Sequence, residues 1–465
     1  MNRDEAAGGS YAAPAAVAQN WLDWNTAASV GEQPDKKSAE LATRISATPG
    51  RVADGLARAE TRLALHNPVL VTRDAELVQI HAEAGRFFQA RLAGSWVPDY
   101  LASRGLATAL LPTSPWKIGY APASWTALTG HLRQLGHCDA ALLRSGLVVN
   151  GKNGQLRDHF HDRLMIPLRA EDGIAIAFIG RRHPSAGDDH GPKYLNSPDT
   201  EMFTKGRVLA GLAEGRRALH AGAQPVLVEG PIDAMAVSIS APGQFTGVSP
   251  CGTALTSEQV TALARTVSLP DRGLRVALDA DRAGRKAAIR TYARLAPVTT
   301  HLIAVTLPDG HDPAEILQQD GRRALRDALT DQVRPLADLV VDARLEEWAH
   351  GQELRFAEQQ MGALRAAAKV IAAMPADQVG PQASRLSALY VTRYGWHHEE
   401  VTREIIDAIE HHYQPGVQSS TLPPSPAAAV AHATAPPRQR ASSDMTEIAC
   451  HPSARMERKQ SMGRG

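Results

Sequence analysis

From Asp74 onward, apolar side chains recur at Leu77, Ile80, Ala84, Phe87, Phe88 and Leu92. Steps of three and four put them on one face of a helix. Short helices and turns follow, among them Trp116-Lys117-Ile118-Gly119-Tyr120-Ala121-Pro122. Between Leu147 and Arg182 the rhythm changes to that of strands. Leu147-Val148-Val149 runs into Asn150-Gly151, a dipeptide suited to a hairpin turn. Leu164 to Leu168 and Ile174 to Ile179 flank Glu171-Asp172-Gly173, which predicts a second hairpin.

Another pattern begins at Pro225. Pro225 to Glu229 reads as a short buried strand, broken by Gly230, with Pro231 placed to open a helix over Ile232 to Ile239. Strands are then expected over Gln244 to Val248, Leu274 to Leu278 and His301 to Leu307, and helices from about Ser257 and Ala283. Four alternations of strand and helix predict a parallel sheet with helices on both faces. After Asp331 the sequence reads as helical through about His412. Residues 1 to about 75 are Ala-rich and poorly periodic, with an apolar patch at Trp21, Leu22 and Trp24. Beyond Gln414 the abundance of Pro, Ser, Ala and charge predicts disorder. The expected divisions are thus 1–75, 76–222, 223–328, 329–413 and 414–465.

Composition adds exclusions. The 465 residues allow several domains, and 43% hydrophobic with 21% charged residues fits a globular protein. Lys and Arg number 50 against 49 Asp and Glu, so a nucleic-acid partner would need a local basic surface rather than a global excess of charge. Cys138, Cys251 and Cys450 are far apart and match no Cys-x-x-Cys zinc pattern, which points to a reducing cytoplasm. No apolar run has the length of a membrane span, so no membrane partner is expected.

The candidate chemistry lies at the strand ends. In an open α/β sheet, ligands gather at the carboxyl ends of the strands. Glu229 ends the first strand, Asp279 and Asp281 the third, and Asp309 and Asp312 the fourth. Asp279 and Asp281 are two apart, so in an extended segment both leave from one face. Asp233 would lie one helical turn inside the helix after Glu229. Adjacent carboxylates repel unless a cation lies between them, and Mg²⁺ takes one or two carboxylates with water and phosphate oxygens.

These segments carry a family resemblance. Val228-Glu229-Gly230-Pro231-Ile232-Asp233-Ala234 resembles the first Toprim motif, and Ala277-Leu278-Asp279-Ala280-Asp281-Arg282-Ala283-Gly284 resembles its Asp-x-Asp motif. Leu307-Pro308-Asp309-Gly310-His311-Asp312-Pro313 is similar to the third acidic segment, and Ser249 to Leu255 to the Gly-Thr loop between the first two. Toprim also occurs in topoisomerases, recombination mediators and nucleases, and the upstream half is more selective. Lys117 to Trp125, Arg163 to Arg169 with Gly180-Arg181-Arg182, and Pro192 to Gly206 resemble the catalytic core of bacterial DnaG-type primases. The helical stretch from Pro335 to Glu404 is similar to the end of that core.

The resemblance implies an α/β fold: a Toprim parallel-sheet domain, preceded by a mixed α+β subdomain and followed by a helical bundle. It implies primer synthesis in DNA replication, with Glu229, Asp279 and Asp281 catalytic and metal-binding, and Asp233, Asp309 and Asp312 supporting the metal. Arg163, Arg181, Arg182, Lys193, Tyr194, Asn196 and Lys205 would bind nucleic acid or nucleotide. Mg²⁺ or Mn²⁺ is the implied cofactor, and single-stranded DNA and ribonucleoside triphosphates the implied partners. Residues 1–75 contain no cysteine, so the zinc module that usually opens such primases is not expected, nor is zinc. A plasmid, phage or integrated element is one setting for such a chain. Its candidate partners are then a replicative helicase or a separately encoded zinc-binding or initiator protein. A Toprim-type metal-dependent nuclease and a non-catalytic nucleic-acid-binding protein of a mobile element are the competing expectations.

Overall fold

The computed structural model describes residues 73–151, 154–187, 191–252, 254–279, 281–308, 310–350 and 352–413. The expectations for residues 1–72, Asp309 and the tail from 414 lie outside the described residues.

Helix α1 (Ala75–Ala90) follows the predicted apolar stripe, and Asp74 caps it by accepting the Glu76 N–H at 2.8 Å. Helix α2 (Val97–Ser103) and a 3₁₀ turn lead to β1 (Gly119–Ala121), α3 (Ala127–Gln134) and α4 (Asp139–Arg144). The first predicted hairpin forms as β2 (Val148–Asn150) against β3 (Leu156–Asp158). The second forms as β4 (Arg163–Arg169) against β5 (Ala175–Arg182), turning at Gly173, whose φ of 85° suits glycine. With β1 and β6 (Tyr194–Asn196), these two strands make an antiparallel sheet of order β1-β4-β5-β6.

The second sheet begins at β7 (Leu209–Ala210). Helix α5 (Leu212–His220), β8 (Gln224–Val228) and α6 (Pro231–Ser240) follow. Next come β9 (Phe245–Pro250), α7 (Ser257–Thr266), the short α8 (Leu269–Arg272), β10 (Leu274–Ala277) and α9 (Arg282–Leu295). Strand β11 (Leu302–Val305) leads to α10 (Pro313–Asp331) and β12 (Val333–Pro335). Strand order is β12-β11-β10-β8-β9-β7, with the inner four parallel and the two edges antiparallel. Helices α11 (Leu336–Ala349), α12 (Ala357–Ala372), α13 (Ala376–Tyr394) and α14 (His398–Tyr413) complete the described chain.

The sequence predicts helix from Asp331 onward, but Val333–Pro335 is a strand beside β11. Three residues are too few to show a period of two, and Pro335 can sit in a strand because this one is at the sheet edge. The edge strands β6 and β7 escape prediction for the same reason of length.

Alternate residues of the parallel strands feed two cores. Leu227, Val248, Val276 and Leu302 join α7, α9 and the helices after β12. Val226, Val228 and Val305 join α6, α10 and the antiparallel sheet through Leu164, Ile166 and Ile179. This shared core fixes the end of β5 and β6 relative to the carboxyl ends of the parallel strands. Each fully buried Leu, Ile or Val contributes about 1.5–3 kcal/mol of transfer free energy to that arrangement. Among the described residues no helix is long and apolar enough to cross a membrane.

Candidate active site

Three parallel strands end where three helices begin. Gly230 caps α6, with Pro231 in its first turn. Asp281 caps α9 by accepting the Gly284 N–H at 2.7 Å. Asp312 caps α10 by accepting the Glu315 N–H at 2.7 Å, and Glu315 returns the bond to the Asp312 N–H. Strand ends therefore supply carboxylates while helix N-termini supply partial positive charge.

Glu229 and Asp279 are joined directly: the Asp279 N–H donates to Glu229 Oε1 at 3.2 Å. Glycine makes this closeness possible. A Cβ at Gly284 would overlap the Asp279 carbonyl oxygen and lie 3.2 Å from Glu229 Oε1. A Cβ at Gly230 would lie 2.9 Å from Asp233 Oδ2 and 3.7 Å from the Tyr194 hydroxyl. Asp233 is buried inside α6 and accepts the Ala314 N–H at 3.3 Å.

The titration of these groups reflects their crowding. Burial, then the charges of Glu229, Asp312 and Asp281, pushes Asp279 up to about 7. Burial, then Asp312 and Asp279, raises Asp233 well above the usual carboxylate range. Burial raises Glu229, and Asp281 and Asp312 raise it further. The positive charge of Lys193 opposes all three upward shifts, so its ammonium lies near the cluster. The structure thus brings Glu229, Asp233, Asp279, Asp281 and Asp312 to one edge.

These residues fit a divalent cation in donor chemistry: hard carboxylate oxygens, mutually repelling, with one lysine among them. Among the described residues, no three His, Cys, Asp or Glu side chains already form the arrangement of ligands around one ion. Asp312 is directed to its helix cap and to Arg104, whose Nη2 is 3.7 Å away.

The cationic candidates divide. Arg163 is buried, and its Nη1 donates to the carbonyls of Gly180 at 3.0 Å and Pro192 at 2.9 Å. Arg182 donates to the carbonyls of Gly187 at 2.7 Å and Gly191 at 2.6 Å. Both guanidiniums tie the loop after β5 to its own strand. Arg181 is paired with Tyr194 across β5 and β6, and its guanidinium lies 4.5 Å from the Tyr100 ring centre and 5.9 Å from that of Tyr194. Lys193 Nζ lies 5.8 Å from the Tyr194 ring centre. Tyr194 is therefore beside the acidic edge, and burial with the Asp233 charge raises its phenol. Lys205 is exposed beside Gly252, and a Cβ there would lie 3.2 Å from Lys205 Cε. Asn196 holds the Cys251 carbonyl through Nδ2 at 2.9 Å, while its Oδ1 is buried without a partner.

Sequence reasoning passed over Tyr100, Arg104 and Asp162. Asp162 adopts a left-handed backbone (φ 46°) and accepts from Tyr120 at 2.7 Å and Trp96 at 2.9 Å. The one available signal was the step of four from Trp96 to Tyr100 to Arg104.

The segments that build this edge match known families. Residues 87–216 match the family of the N-terminal domain of the DNA primase catalytic core, and residues 226–317 match a Toprim-like family. Toprim-containing primase cores use a divalent metal in general, in keeping with the acidic edge. The DNA primase of Deinococcus radiodurans is 36% identical over 261 residues, covering 56% of this chain and 43% of the relative. The chain thus spans less than half the length of the curated relatives it matches. The RNA polymerase domain of Mycobacterium tuberculosis primase DnaG is 27% identical with a TM-score of 0.58, covering 70% of this chain and 99% of that one. A DnaG primase catalytic domain bound to single-stranded DNA is 26% identical with a TM-score of 0.55, covering 70% of this chain and 98% of that one. Residues 87–216 and 226–317 of this chain are thus similar, in order, to the two parts of the catalytic core of bacterial DnaG-type primases, an N-terminal domain followed by a Toprim-like domain.

Proposed function

We propose that the chain is a DNA-directed RNA polymerase of primase type, which makes short RNA primers on single-stranded DNA during replication in the cytoplasm. One observation carries this: at least five carboxylates converge on one sheet edge, with Lys193 near them, inside segments that match the primase core. In this assignment residues 76–222 bind nucleic acid, 223–328 hold the acidic edge and 329–413 support it.

Glu229, Asp279 and Asp281 would hold Mg²⁺ or Mn²⁺, with Asp233, Asp309 and Asp312 supporting the metal. Such an ion, when bound, offsets charge on the phosphates. Lys193, Arg181 and Lys205 attract the triphosphate and template phosphates toward the same edge. The primer 3′-hydroxyl then attacks the α-phosphate, and pyrophosphate leaves. Tyr194 is part buried below Arg181 and Lys193, and its ring orients these cations. Arg163 and Arg182 act at one remove, by fixing the loop that carries Lys193. Asn196 positions the loop around Cys251 and Gly252.

The test is incorporation of labelled ribonucleotides on single-stranded DNA with Mg²⁺ or Mn²⁺, with and without an annealed primer. Template-dependent RNA products are expected. Metal-dependent shortening of the template with no RNA product would replace primer synthesis with nuclease action. Neither activity, with DNA still bound, would leave a non-catalytic binding protein.

A further inference from the structure

Three side chains at steps of four along the α2 segment reach three different parts of the site. Trp96 donates its indole N–H to Asp162 at 2.9 Å, just before the strand of Arg163. Tyr100 places its ring 4.5 Å from the Arg181 guanidinium. Arg104 donates to Gln318 at 2.7 Å and stands 3.7 Å from Asp312 on α10. Residues four apart lie on one helix face, so one short helix touches the basic strand at one end and the acidic edge at the other.

We propose that Tyr100 is a positioning residue: its ring holds the Arg181 guanidinium beside the acidic edge, where that charge can meet a nucleotide triphosphate. This rests on the primase function proposed above.

Arg181 needs such support. It is buried, makes no ion pair with an acid among the described residues, and donates through Nη1 to the Arg182 carbonyl at 3.1 Å. Its Nε is buried without a hydrogen-bond partner. Arg181 also shares a hydrogen bond with the Tyr194 phenol, and the nearer ring face is that of Tyr100, a contact that favours a guanidinium and is stronger when water is excluded. A cation held by rings rather than by a carboxylate keeps its charge available for an anion.

The Tyr100 hydroxyl is also buried without a partner. Arg181, Arg104, Asp233 and Asp312 all influence it electrostatically, so it lies between the two charged groups of the site. An orphan hydroxyl is a cost to folding, and its removal should be neutral or stabilising. The ring, not the hydroxyl, is therefore the working part.

The experiment uses the full chain, with ATP and Mg²⁺ titrated by calorimetry and single-nucleotide addition measured on an annealed primer. Tyr100→Leu is expected to weaken ATP binding and raise KM about tenfold, with kcat changed less than about threefold. Tyr100→Phe should restore affinity to within about twofold of wild type and unfold no earlier. In an Arg181→Met background, Tyr100→Leu should add less than about twofold. Equal losses in the presence and absence of Arg181 would overturn the proposal, as would a loss shared by Tyr100→Phe or an unchanged affinity in Tyr100→Leu. Should Tyr100→Leu fail to fold, Arg181→Lys, which keeps the charge but not the plane, must reproduce the loss; unchanged affinity there overturns the proposal too. Wild type that binds ATP without extending a primer would sink primer synthesis, while the affinities would still decide the role of Tyr100.

Discussion

At the acidic edge, carboxylates from three strand ends crowd together with Lys193 near them, whereas in the antiparallel sheet beside it two arginines are taken up by carbonyl oxygens. The first group is held in mutual repulsion, which raises Asp279, Asp233 and Glu229 together. The second donates to carbonyls of β5 and of the loop leading to Lys193, and so shapes that loop. Charge that is left unsatisfied by the fold is charge available to a ligand, and charge that is satisfied builds the scaffold.

The sharpest way to break this contrast is to exchange the consequences. Asp279→Asn is expected to lower primer extension by about 10³-fold or more, since it removes a carboxylate at the reacting edge, while leaving the fold intact. Its melting temperature without metal should rise, because a repelling charge is gone; a fall would mean that Asp279 is structural. Arg163→Met should do the opposite and cost about 2–4 kcal/mol of stability in a denaturant titration, because two carbonyls, one buried and one part-buried, lose a charged donor. Near-normal stability would move Arg163 to the ligand-binding group. Lys193→Ala should raise KM for nucleotide about tenfold with little change in denaturation midpoint. An unchanged KM would show that Lys193 does not meet phosphate.

The smallest expected effect is on pH dependence. Asp279 is raised from 3.8 to about 7 by the fold, and Glu229 and Asp233 move in the same direction. An acid raised on folding holds its proton more tightly in the native state, so its favourable contribution is present below the unfolded value and is lost as pH rises through the folded one. Metal-free protein should therefore melt at a progressively lower temperature as pH rises from about 4 to about 7, on account of Asp279. Asp279→Asn should flatten this slope; a slope unchanged by the substitution would place its cause elsewhere.

The same contrast explains what the sequence made legible. Each acidic group follows a short apolar strand: Val226 to Val228 before Glu229, and Val276 to Leu278 before Asp279. A buried strand must end at the sheet edge, so its next residue falls where ligands gather. The four parallel strands and the β4–β5 hairpin were legible for the same reason, since burial writes a long apolar run. What Arg163 and Arg182 do was not legible, because spacing does not tell whether a guanidinium meets a phosphate or a carbonyl. Helix α2 falls in the stretch expected to hold short helices and turns, but seven residues carry too little periodicity to place it, and Tyr100 meets Arg181 through contacts eighty-one positions apart in the chain. The edge strands β7 and β12 were hidden by lengths of two and three residues.

The most direct measurement is a calorimetric titration of Mn²⁺ into the wild-type chain and Asp279→Asn at pH 7, in buffers of different ionisation heat. The wild type is expected to bind the ion and release protons, because Asp279 stands near half protonation there. The substitution should weaken binding and reduce the proton release. Tight binding with the same proton release in both proteins would contradict the assignment of this edge as the metal-dependent centre of the primase core.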